Sequence, residues 1–117
     1  MTVTRTTDDR DVVVEWAPFR LVEGVSERDL LAASETLQRE FLARQRGFVR
    51  RELLRAADGQ WSDLVHWEDE RAAHDVFDAA MASPVCADYF KLMVMPEGGD
   101  PAAGVLHLHR VRVYAAS

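Results

Sequence analysis

With 117 residues, 48% of them hydrophobic, the chain has room for one domain with a true core but stays rich in surface. A formal net charge of -6 excludes a general nucleic-acid or anionic-membrane binder, because phosphate surfaces select basic proteins. The single cysteine, Cys86, cannot form an internal disulfide, and no apolar run reaches membrane-spanning length or forms a leading signal segment, so the expected setting is reducing and cytoplasmic.

Residues 1–10 are polar and charged and read as an N-terminal arm, leaving 11–117 as the folded domain. Val12 to Ala17 is β-branched and aromatic and predicts a first strand, with Pro18 marking a bulge or bend and Phe19 to Leu21 as its continuation. Ser26 followed by Asp29 has the form of a helix N-cap with an acid in the first turn. Leu30, Ser34, Leu37 and Phe41 then recur at helical spacing, predicting an amphipathic helix of about 20 residues that ends at Gly47. Phe48 to Arg55 is a second strand whose charge density suits a sheet edge. Ala57-Asp58-Gly59 supplies a hairpin turn into a third strand ending at Trp67. Asp69 can cap a second helix that buries Ala73, Val76, Phe77, Ala80 and Met81, and Ser83-Pro84 stops it and starts another short helix. Pro96 to Pro101 is a loop, and Val105 to Tyr114 closes the chain as a fourth strand. The order β-α-β-β-α-(α)-β predicts an α+β, ferredoxin-like fold with a four-stranded antiparallel sheet.

Helices in that arrangement cover one sheet face only. In the third strand Trp61, Asp63, Val65 and Trp67 alternate with Ser62, Leu64, His66 and Glu68, and the fourth strand is similarly mixed, so neither side is a clean solvent face. A second copy covering the open face by two-fold symmetry is the simplest expectation.

Gly47-Phe48 after a long helix, Arg51, then Asp58-Gly59-x-Trp61-x-Asp63-x-Val65-x-Trp67 and Ala72-Ala73 opening a helix together resemble the antibiotic biosynthesis monooxygenase family. The resemblance spans roughly residues 12–114. It implies a dimeric α+β barrel, two ferredoxin-like subunits facing each other through their sheets. It also implies oxidation of electron-rich polycyclic phenols to quinones by molecular oxygen, or a related proton-transfer step such as cyclisation or isomerisation, on an apolar aromatic small molecule of secondary metabolism and without an organic cofactor. Trp67 matches the tryptophan that lines the pocket in that family. The quinone-forming and haem-degrading relatives both use a pocket asparagine, and this chain contains none.

Oxygenation without a cofactor needs an apolar pocket and a base that turns the substrate into an electron-rich anion. Trp16, Trp61, Trp67, Phe77, Tyr89 and Phe90 are candidate walls, although core packing accounts better for most aromatics of this kind, Trp67 excepted. Glu15, His66, His107 and His109 are candidate bases, and Arg51 or Arg110 could hold a phenolate. His107-x-His109 places two imidazoles on one strand face, so a metal-dependent enzyme is an alternative, with Glu15 and His66 approaching from neighbouring strands. A non-catalytic dimeric binding protein is the third reading. His74 is assigned a solvated helix position and Cys86 a small buried one. There is no phosphate loop, nucleophile elbow or zinc-protease motif.

Overall fold

The computed structural model describes residues 12–100 and 102–116; the segment read as an N-terminal arm lies outside the described residues. Four strands, β1 (Val13–Phe19), β2 (Phe48–Arg55), β3 (Trp61–Trp67) and β4 (Leu106–His109), form one antiparallel sheet in the order β2-β3-β1-β4. Three helices, α1 (Glu27–Glu40), α2 (Glu70–Met81) and α3 (Pro84–Phe90), complete the ferredoxin-like arrangement that the order of elements predicts.

Local chemistry sets most of the boundaries. Ser26 and Asp29 form a reciprocal capping box: the Asp29 amide donates to Ser26 Oγ at 3.1 Å and the Ser26 amide to Asp29 Oδ2 at 3.0 Å. Asp69 and Ser83 cap α2 and α3 in the same sense, accepting from the amides of Ala72 and Cys86. The β2–β3 hairpin closes through Ala56 to Gln60, with Gly59 at φ 89° in the left-handed region that the turn demands.

Three boundaries differ from the expectation. The first helix is 14 residues long, not about 20, because Phe41 leaves the helical region (φ -129°) and Leu42–Arg44 continues as a 3₁₀ turn. Among the described residues, strand β4 covers Leu106–His109 rather than 105–114, paired with Val13 to Trp16 of β1. Strand β1 runs straight through Pro18. Because the β4 ladder stops at Trp16, the proline sits beyond that ladder, and among the described residues its missing amide interrupts no β1–β4 pairing.

The core lies between the sheet and the helices. Val13, Phe19, Trp61, Val65 and Trp67 from the sheet meet Leu30, Leu37, Ala73, Val76, Cys86 and Tyr89 from the helices, all buried. Gly47 fixes how closely α2 approaches: its φ is 83°, and a Cβ there would lie 2.5 Å from the Cβ of Ala72. The Gly47 carbonyl also accepts from the Glu68 amide at 2.8 Å, tying the start of β2 to the end of β3. Phe77 and Met81, expected in the buried face of α2, are 43% and 55% exposed. Both border an open space beside the sheet.

Candidate functional site

That open space is a cavity of about 470 Å³ between the helix-facing side of the sheet and helices α2 and α3. Its walls are mainly apolar, from Val65, Trp67, Phe77, Met81, Phe90 and Met93 among others. Leu92 to Val94 completes the mouth by lying along Arg20 to Val22, through a Val22 amide to Leu92 carbonyl bond of 2.9 Å and a Val94 amide to Arg20 carbonyl bond of 2.8 Å. Met95, from the loop that follows, is 52% exposed at the rim.

Two polar groups interrupt this lining. The first is a closed network of Arg51, Asp63 and Tyr89. Arg51 Nε donates to Asp63 Oδ1 at 2.8 Å, the Tyr89 hydroxyl donates to Asp63 Oδ2 at 2.7 Å, and Arg51 Nη2 donates to the Tyr89 oxygen at 3.0 Å. Arg51 Nη1 also reaches the Ser34 carbonyl on α1 at 3.3 Å, so β2, β3, α3 and α1 meet in one set of bonds. Both charged side chains are almost fully buried, at 6% and 10% exposure. Burial works against the Arg51 charge, but Asp63 and the Tyr89 oxygen outweigh it and raise the guanidinium's proton affinity. Burial first, and the Asp63 carboxylate next, push the Tyr89 hydroxyl far above its usual range, so it stays a neutral donor.

The second group is Glu15 with Trp67 and His107. Glu15 is held by the Trp67 indole, whose Nε1–H donates to Oε1 at 3.2 Å. His107 stands opposite Glu15 in the β1–β4 ladder, its Nε2 at 3.8 Å from the same oxygen. Burial raises the Glu15 pKa above the ordinary carboxylate value; His107 and the indole bond oppose this, and the Asp63 charge adds to it.

The structure therefore gathers Glu15, Arg51, Trp67, Phe77, Tyr89, Phe90 and His107 around one cavity. It does not bring the other candidates, Trp16, Trp61, His66, His109 and Arg110, there. Trp16 is on the opposite sheet face, where its Nε1–H donates to Ser62 Oγ at 3.0 Å. His66 is on that opposite face too, buried between Arg110 Nη2, 3.1 Å from Nδ1, and Glu52 Oε1, at 3.5 Å from Nε2. The latter distance is long for a hydrogen bond, and burial followed by the neighbouring Arg50 charge lowers the His66 pKa. His109 shares the helix-facing side with His107 but points to Glu70 at the start of α2, 4.0 Å away. The two histidines thus have different carboxylate neighbours, and among the described residues no three His, Cys, Asp or Glu side chains converge as a metal site. His74 reaches the cavity wall from α2, and Cys86 is buried, as expected.

Asp63 is not among the candidates that the sequence offers, where it stands as one member of an alternating strand face and of the family-like run from Asp58 to Trp67. The usable signal was the hairpin register: counted back from Asp58-Gly59, Leu53 faces Asp63 and Arg51 faces Val65, which puts Arg51 diagonal to Asp63 on one face.

No protein-family profile matches the sequence, and no curated protein matches it. Solved structures do. The chain superimposes on a candidate antibiotic biosynthesis monooxygenase from Bordetella bronchiseptica with a TM-score of 0.61 and 20% identity, over 90% of this chain and 100% of that one. A variant of SnoaB, a cofactor-independent oxygenase from Streptomyces nogalater, matches with a TM-score of 0.56 and 22% identity, over 91% and 93% of the two chains. A dimeric ferredoxin-like protein from an uncultured marine organism matches with a TM-score of 0.54 and 10% identity, over 94% and 95%. At these identities the likeness establishes the ferredoxin-like fold.

Proposed function

We propose that the protein is a monooxygenase-like enzyme of the antibiotic biosynthesis monooxygenase type, acting on an apolar aromatic small molecule without an organic cofactor. The observation that carries this reading is a carboxylate, Glu15, presented with His107 and Trp67 inside a mainly apolar cavity of about 470 Å³. That volume suits a fused-ring phenol. The fold likeness to a cofactor-independent oxygenase supports the same reading.

The chemistry balances without an added reductant. When a ring methylene flanked by phenolic rings becomes a carbonyl, four electrons leave the substrate. Molecular oxygen takes all four, one oxygen atom entering the product and the other leaving as water. The residues' part is to remove the first proton, through Glu15 and His107, and to hold the anion against Trp67 in a site with little water. Phe77 and Phe90 complete the walls, while Arg51 and Tyr89 keep the cavity's inner end rigid.

The same reading includes a cytoplasmic homodimer. On the sheet face away from the helices, Trp16, Leu54, Leu106 and Leu108 are 36–50% exposed, an apolar surface that a second copy would cover.

Oxygen-electrode measurements on purified protein with a panel of anthrones and polycyclic phenols test the function. Oxygen consumption coupled to quinone absorbance is expected, reduced at least tenfold in Trp67→Ala. Consumption no faster than in protein-free buffer across the panel overturns the oxygenase reading.

A further inference from the structure

The two carboxylates of the cavity are treated in opposite ways. Asp63 has a guanidinium on one oxygen and a hydroxyl on the other. Glu15 has no cation of that kind. Its Oε1 takes the Trp67 N–H, and no hydrogen bond from the described residues occupies its Oε2, while 21% of the side chain remains accessible. An apolar residue at this strand position would pack without any desolvation cost, so a lone carboxylate here weakens the fold rather than supporting it. What it gains is a fixed acceptor aimed into an apolar chamber. That is the arrangement in which a carboxylate moves protons near neutral pH.

We propose that this cavity catalyses an oxygen-independent proton transfer, the keto–enol interconversion of an apolar, enolisable ketone, with Glu15 as the base and His107 facing the carbonyl oxygen. The proposal rests on the cavity being the substrate site, but not on oxygen taking part. Glu15 Oε2 takes the proton from the carbon next to the carbonyl. The C–H electron pair becomes the new C=C bond, and the carbonyl π pair moves onto oxygen. A ring N–H of His107, from the adjacent strand, stabilises that oxygen. Glu15 then returns the proton, either to the same carbon or to the far end of a conjugated system, so nothing is oxidised or reduced. The indole bond holds the carboxylate's orientation throughout.

The groups facing Glu15 from the packed elements are Asp63 and Trp67 on β3, His107 on β4 and, further along the wall, Arg51 on β2, His74 on α2 and Tyr89 on α3. Arg51, Asp63 and Tyr89 saturate one another, so they act as a fixed background and do not compete for the proton.

The test is deuterium uptake into 2-tetralone and into anthrone, in D₂O without oxygen, followed by NMR. Wild-type protein is expected to exchange the α-protons of 2-tetralone, and the methylene protons of anthrone that are conjugated to its carbonyl through the rings, about 100-fold faster than Glu15→Gln, within the range usual for general-base catalysis. Glu15→Asp, which withdraws the carboxylate by one methylene, is expected to fall between them while folding as wild type. Equal exchange in wild type and Glu15→Gln, or no exchange above buffer with either probe, overturns the proposal. If Glu15→Gln fails to fold, undiminished exchange in Glu15→Asp and in His107→Phe overturns it equally. Exchange without oxygen uptake under air retains this activity and removes the oxygenase reading. Oxygen uptake that survives Glu15→Gln, with no exchange, does the reverse.

Discussion

Asp63 and Glu15 lie on one sheet face, diagonal across β1 and β3, and only one of them is neutralised by a buried cation. Removing a partner from a buried ion pair strands the other charge, at a cost of about 3–5 kcal/mol. Asp63→Ala should therefore lower stability by that amount in urea unfolding, with Arg51 left without its carboxylate on β3. Glu15 carries a pH-dependent prediction. Its folded-state pKa is raised, so the native state holds the proton more tightly than the unfolded chain does. Its contribution to stability therefore falls as pH rises from the ordinary glutamate range through the raised folded value. Glu15→Gln should gain stability relative to wild type across that window, measured as the difference in denaturation midpoint between pH 4 and pH 8. A constant difference at all pH values would contradict the assigned environment.

At the level of elements, the close approach of α2 to the start of β2 depends on a single hydrogen atom. Gly47→Ala meets two penalties: a positive φ, worth roughly 1–2 kcal/mol for a residue with a Cβ, and a collision with the Ala72 methyl. Gly59 has a positive φ but open space around its Cβ position, so Gly59→Ala should show the conformational penalty alone. Thermal unfolding should rank Gly47→Ala clearly below Gly59→Ala, and the double change Gly47→Ala, Ala72→Gly should recover part of the loss. Ser26→Ala removes one arm of the α1 capping box and should cost about 1 kcal/mol. The sequence made these features legible, because capping residues and turn glycines act over three or four neighbours. It could not show the collision at Ala72, which brings together two residues 25 positions apart.

For the molecule as a whole, the sheet divides two environments. The helix side holds the cavity, and the other side holds Trp16, Leu106 and Leu108 around the buried His66. Burying that apolar face is the reason to expect a second copy, and Leu108→Glu should shift sedimentation toward the monomer at micromolar concentration. Unchanged sedimentation would mean that this face is not the interface. His66→Ala should leave cavity chemistry intact while altering this face, a separation that activity and sedimentation measured side by side would reveal.

Alternation with period two, helical spacing and capping chemistry are local, and from them the sequence alone determined the order of elements, the ferredoxin-like fold and the sharing of one strand face by Trp67 and Asp63. Which strand faces which, and how far each ladder runs, is decided by pairing between residues dozens of positions apart. Only the tertiary structure could show that Arg51 reaches Asp63 and Tyr89, and that His107 meets Glu15 while His109 meets Glu70. The physical reason is that a side chain's face follows from its own neighbours in sequence, whereas its partner, and with it its charge state, follows from the packed sheet.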